Sequence, residues 1–152
     1  MTCLPLFLNL CISSSSPTIP PHTFNIQSGL ASRYGYPGDK YENFKQPYAC
    51  YRSLTKKWGL SRYQEMVKMG VAHRDFPCGK QIIICKIKNN KQSCTPAIVV
   101  DRGPYGALDR HGRWHRRSRL FKGERWRGII DVLPPIASKL GIKGLEKVII
   151  KY

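Results

Sequence analysis

The amino-acid sequence predicts an all-β fold with short helices, closed into a small barrel. Three observations predict it. Short runs rich in Ile and Val recur at 82–87, 92–100, 128–133 and 146–152. Gly, Pro or Asn lies beside them, as expected for strands that end in tight turns. Helical signals are few and short, which favours strands closing on one another over a helical bundle. The length, 152 residues, suits one domain with a real core. With 41% hydrophobic and 23% charged residues, the chain reads as folded.

The N-terminal stretch Leu4–Ile12 is apolar but too short to span a membrane. It resembles the apolar region of a signal peptide, although no Lys or Arg precedes it and Pro5 and Asn9 interrupt it. Ser13–His22 is rich in Ser and Pro and reads as a linker. Residues 1–22 are therefore expected to be leader and linker, and 23–152 the barrel domain. Phe24–Tyr36 reads as a first strand ending at Gly35, and Pro37–Pro47 as a polar loop. Ser61 and Gln64 have the spacing of a capping box, and Gly70 is a stop signal, so a short helix is expected over Arg62–Met69. Tyr63, Met66 and Val67 would share its packing face. Pro77-Cys78-Gly79 reads as a turn.

Ile82–Ile87 and Gln92–Val100 read as a hairpin about Asn89-Asn90, since Asn tolerates the positive φ of a two-residue turn. That register sets Lys88 opposite Lys91, Ile87 opposite Gln92, Lys86 opposite Ser93 and Cys85 opposite Cys94. Counting outward, the last pair is non-hydrogen-bonded, where Cα atoms approach closely enough for a cross-strand disulfide. The four cysteines of the body allow three pairings; with Cys85–Cys94 formed, Cys50–Cys78 follows by elimination. Two disulfides would place the protein in an oxidising compartment, whereas four free thiols would suit the cytosol. No CxxC occurs and Cys78 and Cys85 are seven apart, so a zinc site is not expected. No cofactor is called for.

Ala97–Asp101 is an apolar strand ending in a carboxylate, followed by the turn Arg102-Gly103-Pro104. A strand end holds a reacting group rigidly while the following loop leaves it accessible. The competing role for Asp101 is a turn cap accepting backbone N–H bonds. His73 is the second candidate for chemistry, against an ordinary structural histidine. Residues 107–128 carry eight Lys and Arg against two acids, interleaved with Trp114, Phe121 and Trp126. Such a segment can stack on bases and grip phosphates, or hold sugar faces on rings and carboxylates on guanidinium forks. It can also be a solvated basic loop. Gly128–Leu133 is a short strand carrying Asp131. Pro134–Gly141 is a short helix with Pro at its start and Gly at its end. Glu146–Tyr152 closes the fold. The formal net charge of +17 favours anionic partners: nucleic acid, an anionic membrane or bacterial wall polymers.

Four segments, in order, resemble a known family. Gly29-Leu30-Ala31-Ser32-Arg33-Tyr34-Gly35 resembles its "GxASWYG", and Ala72–Lys80 (AHRDFPCGK) its "AHRTLPLGT". Val100–Tyr105 (VDRGPY) resembles "NDRGPF". Ile129–Val132, with Ile136-Ala137 and Leu140-Gly141, resembles "IIDLS…AA…LG". This is the rare lipoprotein A family, the septal ring lytic transglycosylases. The resemblance covers Gly29–Tyr152. It implies a six-stranded double-psi β-barrel, related in fold to expansins and barwin. It further implies that Asp101 and His73 are catalytic. A third family residue, a Glu in "TASGE" eleven positions before the His, has Arg62 at its position here.

The resemblance implies cleavage of the MurNAc–GlcNAc bond of peptidoglycan without water, giving 1,6-anhydro products. An acid protonates the leaving oxygen, and the resulting base takes the proton of the C6 hydroxyl. Arg74, Arg102, Tyr105, Asp131, Trp114 and Trp126 are expected to bind the glycan. The partners expected are peptidoglycan glycan strands and anionic wall polymers, with a monomeric chain, no transmembrane segment and a location in the envelope, outside the cell or with a phage that opens a wall. An expansin-like wall-binding module without turnover is the alternative. Nucleic-acid binding through 107–128 is a third reading, which paired disulfides would count against.

Overall fold

A computed structural model describes residues 23–39, 47–103, 106–116 and 119–152. The leader expected at 1–22, most of the loop at 37–47 and Tyr105 lie outside the described residues. The strands are β1 (Ile26–Arg33), β2 (Gly70–His73), β3 (Gln81–Lys88), β4 (Lys91–Asp101), β5 (Gly106–Leu108), β6 (Trp114–Arg116), β7 (Arg125–Trp126), β8 (Ile130–Val132) and β9 (Glu146–Lys151). The helices are α1 (Tyr51–Trp58), α2 (Leu60–Met66) and α3 (Pro134–Leu140), with a 3-10 turn at Val67–Met69. Six strands close a barrel in the order β1-β8-β2-β4-β3-β9, and β6-β5-β7 form a separate small sheet. The barrel is mixed: β1–β8 and β2–β4 pair in parallel, the other neighbours antiparallel. The all-β reading with short helices therefore holds.

Alternation along the strands builds the interior. Ala31, Val71, Val99, Ile84, Ile130, Val132 and Ile150 are completely buried together. Ile136, Ala137 and Leu140 of α3 join the same core. α3 starts on two prolines and ends at Gly141 in the left-handed region (φ 62°), as its sequence predicts. One polar pair enters the barrel wall: Lys86 is buried, bonds to Glu146 and donates to the Gly141 carbonyl at 2.7 Å. Lys86 is tolerated in the wall because its charge is met; left there without Glu146 it would be costly.

The β3–β4 hairpin turns at Asn89 and Asn90, both at positive φ (51° and 59°). Its register is the predicted one, from Lys88 opposite Lys91 to Cys85 opposite Cys94. Cys85–Cys94 is a disulfide, with Cα atoms 4.0 Å apart, and so is Cys50–Cys78, at 5.5 Å.

Two helical expectations need correction. The segment between β1 and β2 carries two helices and a 3-10 turn rather than one. Tyr51, Leu54 and Trp58 set an apolar face on α1, and Leu54 seals a second core over the outside of β4 with Tyr48, Cys50, Tyr63, Val67, Ile98, Val100 and Leu133. The Ser61–Gln64 capping box does not form. Gly59, at φ 80°, breaks the chain between α1 and α2, so α2 begins at Leu60 and Ser61 falls inside it. The helix has no side-chain cap. Gly70 is required where β2 starts: a Cβ there would lie 2.6 Å from atoms of Leu133, Val100 and Val67.

Candidate active site

The strand register brings the two acids of the sequence analysis into one row. Asp131 on β8 pairs with Ala72 on β2, and Ala72 pairs with Asp101 on β4 across a bulge. On the other side of Asp131 stands Ser32 of β1. The order across four strands is Ser32, Asp131, Ala72, Asp101. With strands about 4.8 Å apart, the two acids are about 10 Å apart at the backbone. Ala72 between them offers only a methyl group.

Each carboxyl has its own surroundings. Asp101 is 5% exposed, and its Oδ1 accepts the N–H groups of Ala49 and Arg102, both at 2.8 Å. It therefore does cap its turn, as one reading of the sequence had it, and it also sits in the row. Asp131 accepts a hydrogen bond from the Ser32 hydroxyl. Burial pushes its pKa up from the usual carboxylate value. The Ser32 bond and the Arg127 and Arg74 guanidinium groups pull the other way, while the negative charge of Asp101 adds to the rise. Tyr63 of α2 is buried in the second core, and its hydroxyl is pushed up to about 12, by burial first and then by Asp101 and Tyr51.

The arginines close the row. Arg74 donates to the Gly128 carbonyl at 2.8 Å and lies over the Trp126 ring, 4.4 Å from its centroid. Arg102 turns back to donate to the carbonyls of Phe76 and Arg74. Arg74, Arg102, Asp131 and Trp126 thus lie in one neighbourhood with Asp101. Trp114 is in β6, opposite Leu108; its side chain and the whole of Tyr105 lie outside the described residues.

His73 is placed differently. It is 1% exposed and stacks on Phe76, with ring centroids 3.9 Å apart. Its Nδ1 accepts the N–H groups of Asp75 and Phe76, each at 3.2 Å, and its Nε2 lies 3.2 Å from Gln27 Oε1. The two backbone donors require a bare Nδ1, so the proton is assigned to Nε2 and directed at Gln27. Burial lowers its pKa to about 4, against a smaller upward pull from Asp75, with Arg74 and Arg102 lowering it further. A neutral imidazole with both nitrogens occupied organises the 73–76 turn, and through it Arg74; it has no lone pair to offer as a base.

The basic segment is a structured insertion. β5, β6 and β7 form its sheet, and Asp109 ties its corner together. The carboxylate accepts the N–H groups of His111 and Arg113, the Arg113 guanidinium at 2.8 Å, and pairs with His115. Burial alone would raise the Asp109 pKa, but these donors outweigh it and hold the carboxyl well below its usual range. Among the described residues, no three His, Cys, Asp or Glu side chains converge as metal ligands. No described helix is long and apolar enough to cross a membrane.

The sequence analysis did not single out Gln27, Ser32, Ala49 or Arg127. Ser32 lies in a quoted motif, and period-two alternation places Gln27 inward with Ala31. Ala49 acts only through its backbone, and nothing in its side chain announces that. Compared with protein-family models and with curated proteins, the chain matches none.

Proposed function

We propose that this chain is a lytic transglycosylase that cleaves the MurNAc–GlcNAc bond of peptidoglycan. The observation that carries the reading is the row Asp131–Ala72–Asp101, two carboxyls on either side of an alanine, one with a raised pKa. Paired carboxyls in unlike surroundings are the usual equipment for glycosidic bond cleavage. The carboxyl suited to be the acid is Asp131, whose pKa burial raises, rather than Asp101, to which the resemblance gives catalysis. Asp131 gives its proton to the leaving oxygen as the C1–O bond breaks. The C6 hydroxyl oxygen then bonds to C1, and its proton returns to Asp131. No water is consumed, and the carboxyl ends as it began. The Asp101 carboxylate, held by two N–H groups, stabilises positive charge developing on the sugar. Arg74, Arg102 and Trp126 hold the glycan and its carboxylates. Two disulfides are in keeping with an oxidising location, in the envelope or outside the cell.

Purified sacculi provide the test. The wild type should release anhydro-muropeptides, and Asp101→Asn and Asp131→Asn should each lower the rate by about 100-fold or more. Activity should fall as pH rises through the Asp131 pKa, because the acid is then lost. A wild type that releases no anhydro product sinks the enzyme reading. One observation favours the second reading, an expansin-like wall-binding module: both His73 nitrogens are engaged. That module would pull down with sacculi, weaken steeply with salt because of the +17 charge, and release nothing.

A further inference from the structure

Three contacts converge on the segment just before α1. The Ala49 N–H donates to Asp101 Oδ1 at 2.8 Å. The Cys50 N–H donates to the Val100 carbonyl at 3.2 Å. The Cys50 sulfur is bonded to Cys78. Cys78 lies in a turn that is itself fastened to β4: the Gly79 N–H donates to the Val99 carbonyl at 2.8 Å, and the Val99 N–H to the Lys80 carbonyl at 3.0 Å. The same turn lies under α1, since a Cβ on Gly79 would be 3.1 Å from Leu54 and 3.2 Å from Trp58. Residues 49–50 therefore form a strap laid over the end of β4, buckled by a disulfide to the turn next to it. What the strap delivers to the row of acids is one backbone N–H.

We propose that the Cys50–Cys78 disulfide is a positioning device for Asp101: it holds the Ala49 N–H on the carboxylate, so that the geometry of the site depends on the thiol–disulfide state. The catalytic importance of this rests on the proposed function; the coupling itself does not. Reduction by a dithiol delivers two electrons and two protons, giving the Cys50 and Cys78 thiols and a cyclic disulfide of the reductant. The strap then keeps the Cys50 N–H bond to Val100 and the packing of Tyr48 and Leu54 on β4, but it loses the bridge that registers the Ala49 N–H on Asp101. The other bridge, Cys85–Cys94, joins strands already paired residue for residue and touches neither acid, so it serves as the internal control.

The first test reads amide protons by NMR during a pH titration. In the wild type, Ala49 and Arg102 should report one shared titration, that of Asp101, and Asp101→Asn should abolish it in both. In Cys50→Ala/Cys78→Ala, Arg102 should keep the titration and Ala49 should lose it. In Cys85→Ala/Cys94→Ala both should keep it. An Ala49 amide that still follows Asp101 without the Cys50–Cys78 bridge overturns the proposal, as does one that fails to follow it in the wild type.

The second test needs no cysteine variant to fold. Coupling is reciprocal, so removing the acceptor must weaken the bridge. In Asp101→Ala, equilibrated with graded dithiothreitol and read by alkylation and mass spectrometry, Cys50–Cys78 should open at a several-fold lower reductant concentration. Cys85–Cys94 should keep its wild-type midpoint. Equal midpoints for Cys50–Cys78 in the two proteins overturn the proposal. A wild type that cleaves no glycan but shows both effects would sink the proposed function and leave the strap standing.

Discussion

The barrel and the small sheet inserted between β4 and β8 are both β-structure, and they are held by different forces. The barrel closes on itself, so none of its six strands has an unpaired edge, and Val71, Val99, Ile84, Ile130 and Ile150 are wholly removed from water. The insertion has strands of two and three residues, and its corner is a half-buried carboxylate gripping backbone and arginine donors. Area buried from water stabilises the first. Charge-assisted hydrogen bonds, open to salt and acid, shape the second. The site lies where the two meet: its acids stand on barrel strands, while Trp126 comes from the insertion and Arg127 from the stretch just after β7. Under the proposed function, the barrel would fix the acids and the basic insertion would meet the anionic polymer beside them.

The largest effect that would break this contrast belongs to the core. Ile84→Ala removes three carbons from a fully buried position and should cost about 2–5 kcal/mol in urea unfolding. The insertion should be lost in the same transition, because its Trp126 ring is covered by Arg74, which the barrel carries just after β2. If the insertion kept its structure after the barrel unfolded, the division of labour argued above would be wrong.

The hairpin was legible to the residue, because its turn chemistry and its register follow from local rules: two Asn residues and strict alternation leave one answer, and Cys85–Cys94 comes with it. The short helix α3 was legible for the same reason, through Pro at one end and Gly at the other. α1 was not read, since its face of Tyr51, Leu54 and Trp58 is spread among Lys, Arg and Thr, and its partner surface on β4 belongs to a distant part of the chain. The capping box failed because Gly59 supplied a competing break two residues earlier. Asp101 was found as a strand-end carboxylate and Asp131 as an acid within a short strand, yet their unlike surroundings depend on burial, on Ser32 and on the Ala49 N–H. Those are consequences of packing 30 to 100 positions away in sequence. His73 could be picked out by resemblance, but only the fold shows that Gln27 and two backbone N–H groups use up its nitrogens.

A second, smaller effect separates the forces by pH. The His73 pKa is lowered to about 4 in the folded chain, against 6.5 when exposed. The unfolded chain thus binds the extra proton, and folding stability must fall as pH drops from about 6.5 to about 4. The loss is at most about 3.4 kcal/mol, at about 1.36 kcal/mol per pKa unit. Asp131 works in the opposite sense: its raised pKa means that the folded state takes up a proton first, so acid relieves the cost of its burial. His73→Gln cannot titrate, and the difference between its pH–stability curve and that of the wild type isolates the histidine. The wild-type curve should be steeper between pH 4 and 6.5, and parallel curves would remove His73 from the group of buried neutral residues.

The smallest global effect should come from the insertion. Asp109→Ala deletes the acceptor of two backbone N–H groups and of the Arg113 and His115 side chains, leaving the barrel core untouched. The urea midpoint of the barrel should stay where it is. Hydrogen exchange should tell another story: the amides of His111 and Arg113 should lose protection while those of Val99 and Ile150 keep theirs. Acid should reproduce this in the wild type. The folded pKa of Asp109 lies below its ordinary value, so its grip is complete above about pH 4 and is lost as pH falls towards the folded value. Because Arg113 is mostly exposed, high salt should loosen the corner as well, at a pH where the carboxylate remains charged. If sacculus binding weakens in Asp109→Ala by the same factor as in Trp126→Ala, the insertion acts as one wall whose shape matters. If only Trp126→Ala weakens it, the ring binds sugar by itself, and the basic residues of the segment serve as charge alone.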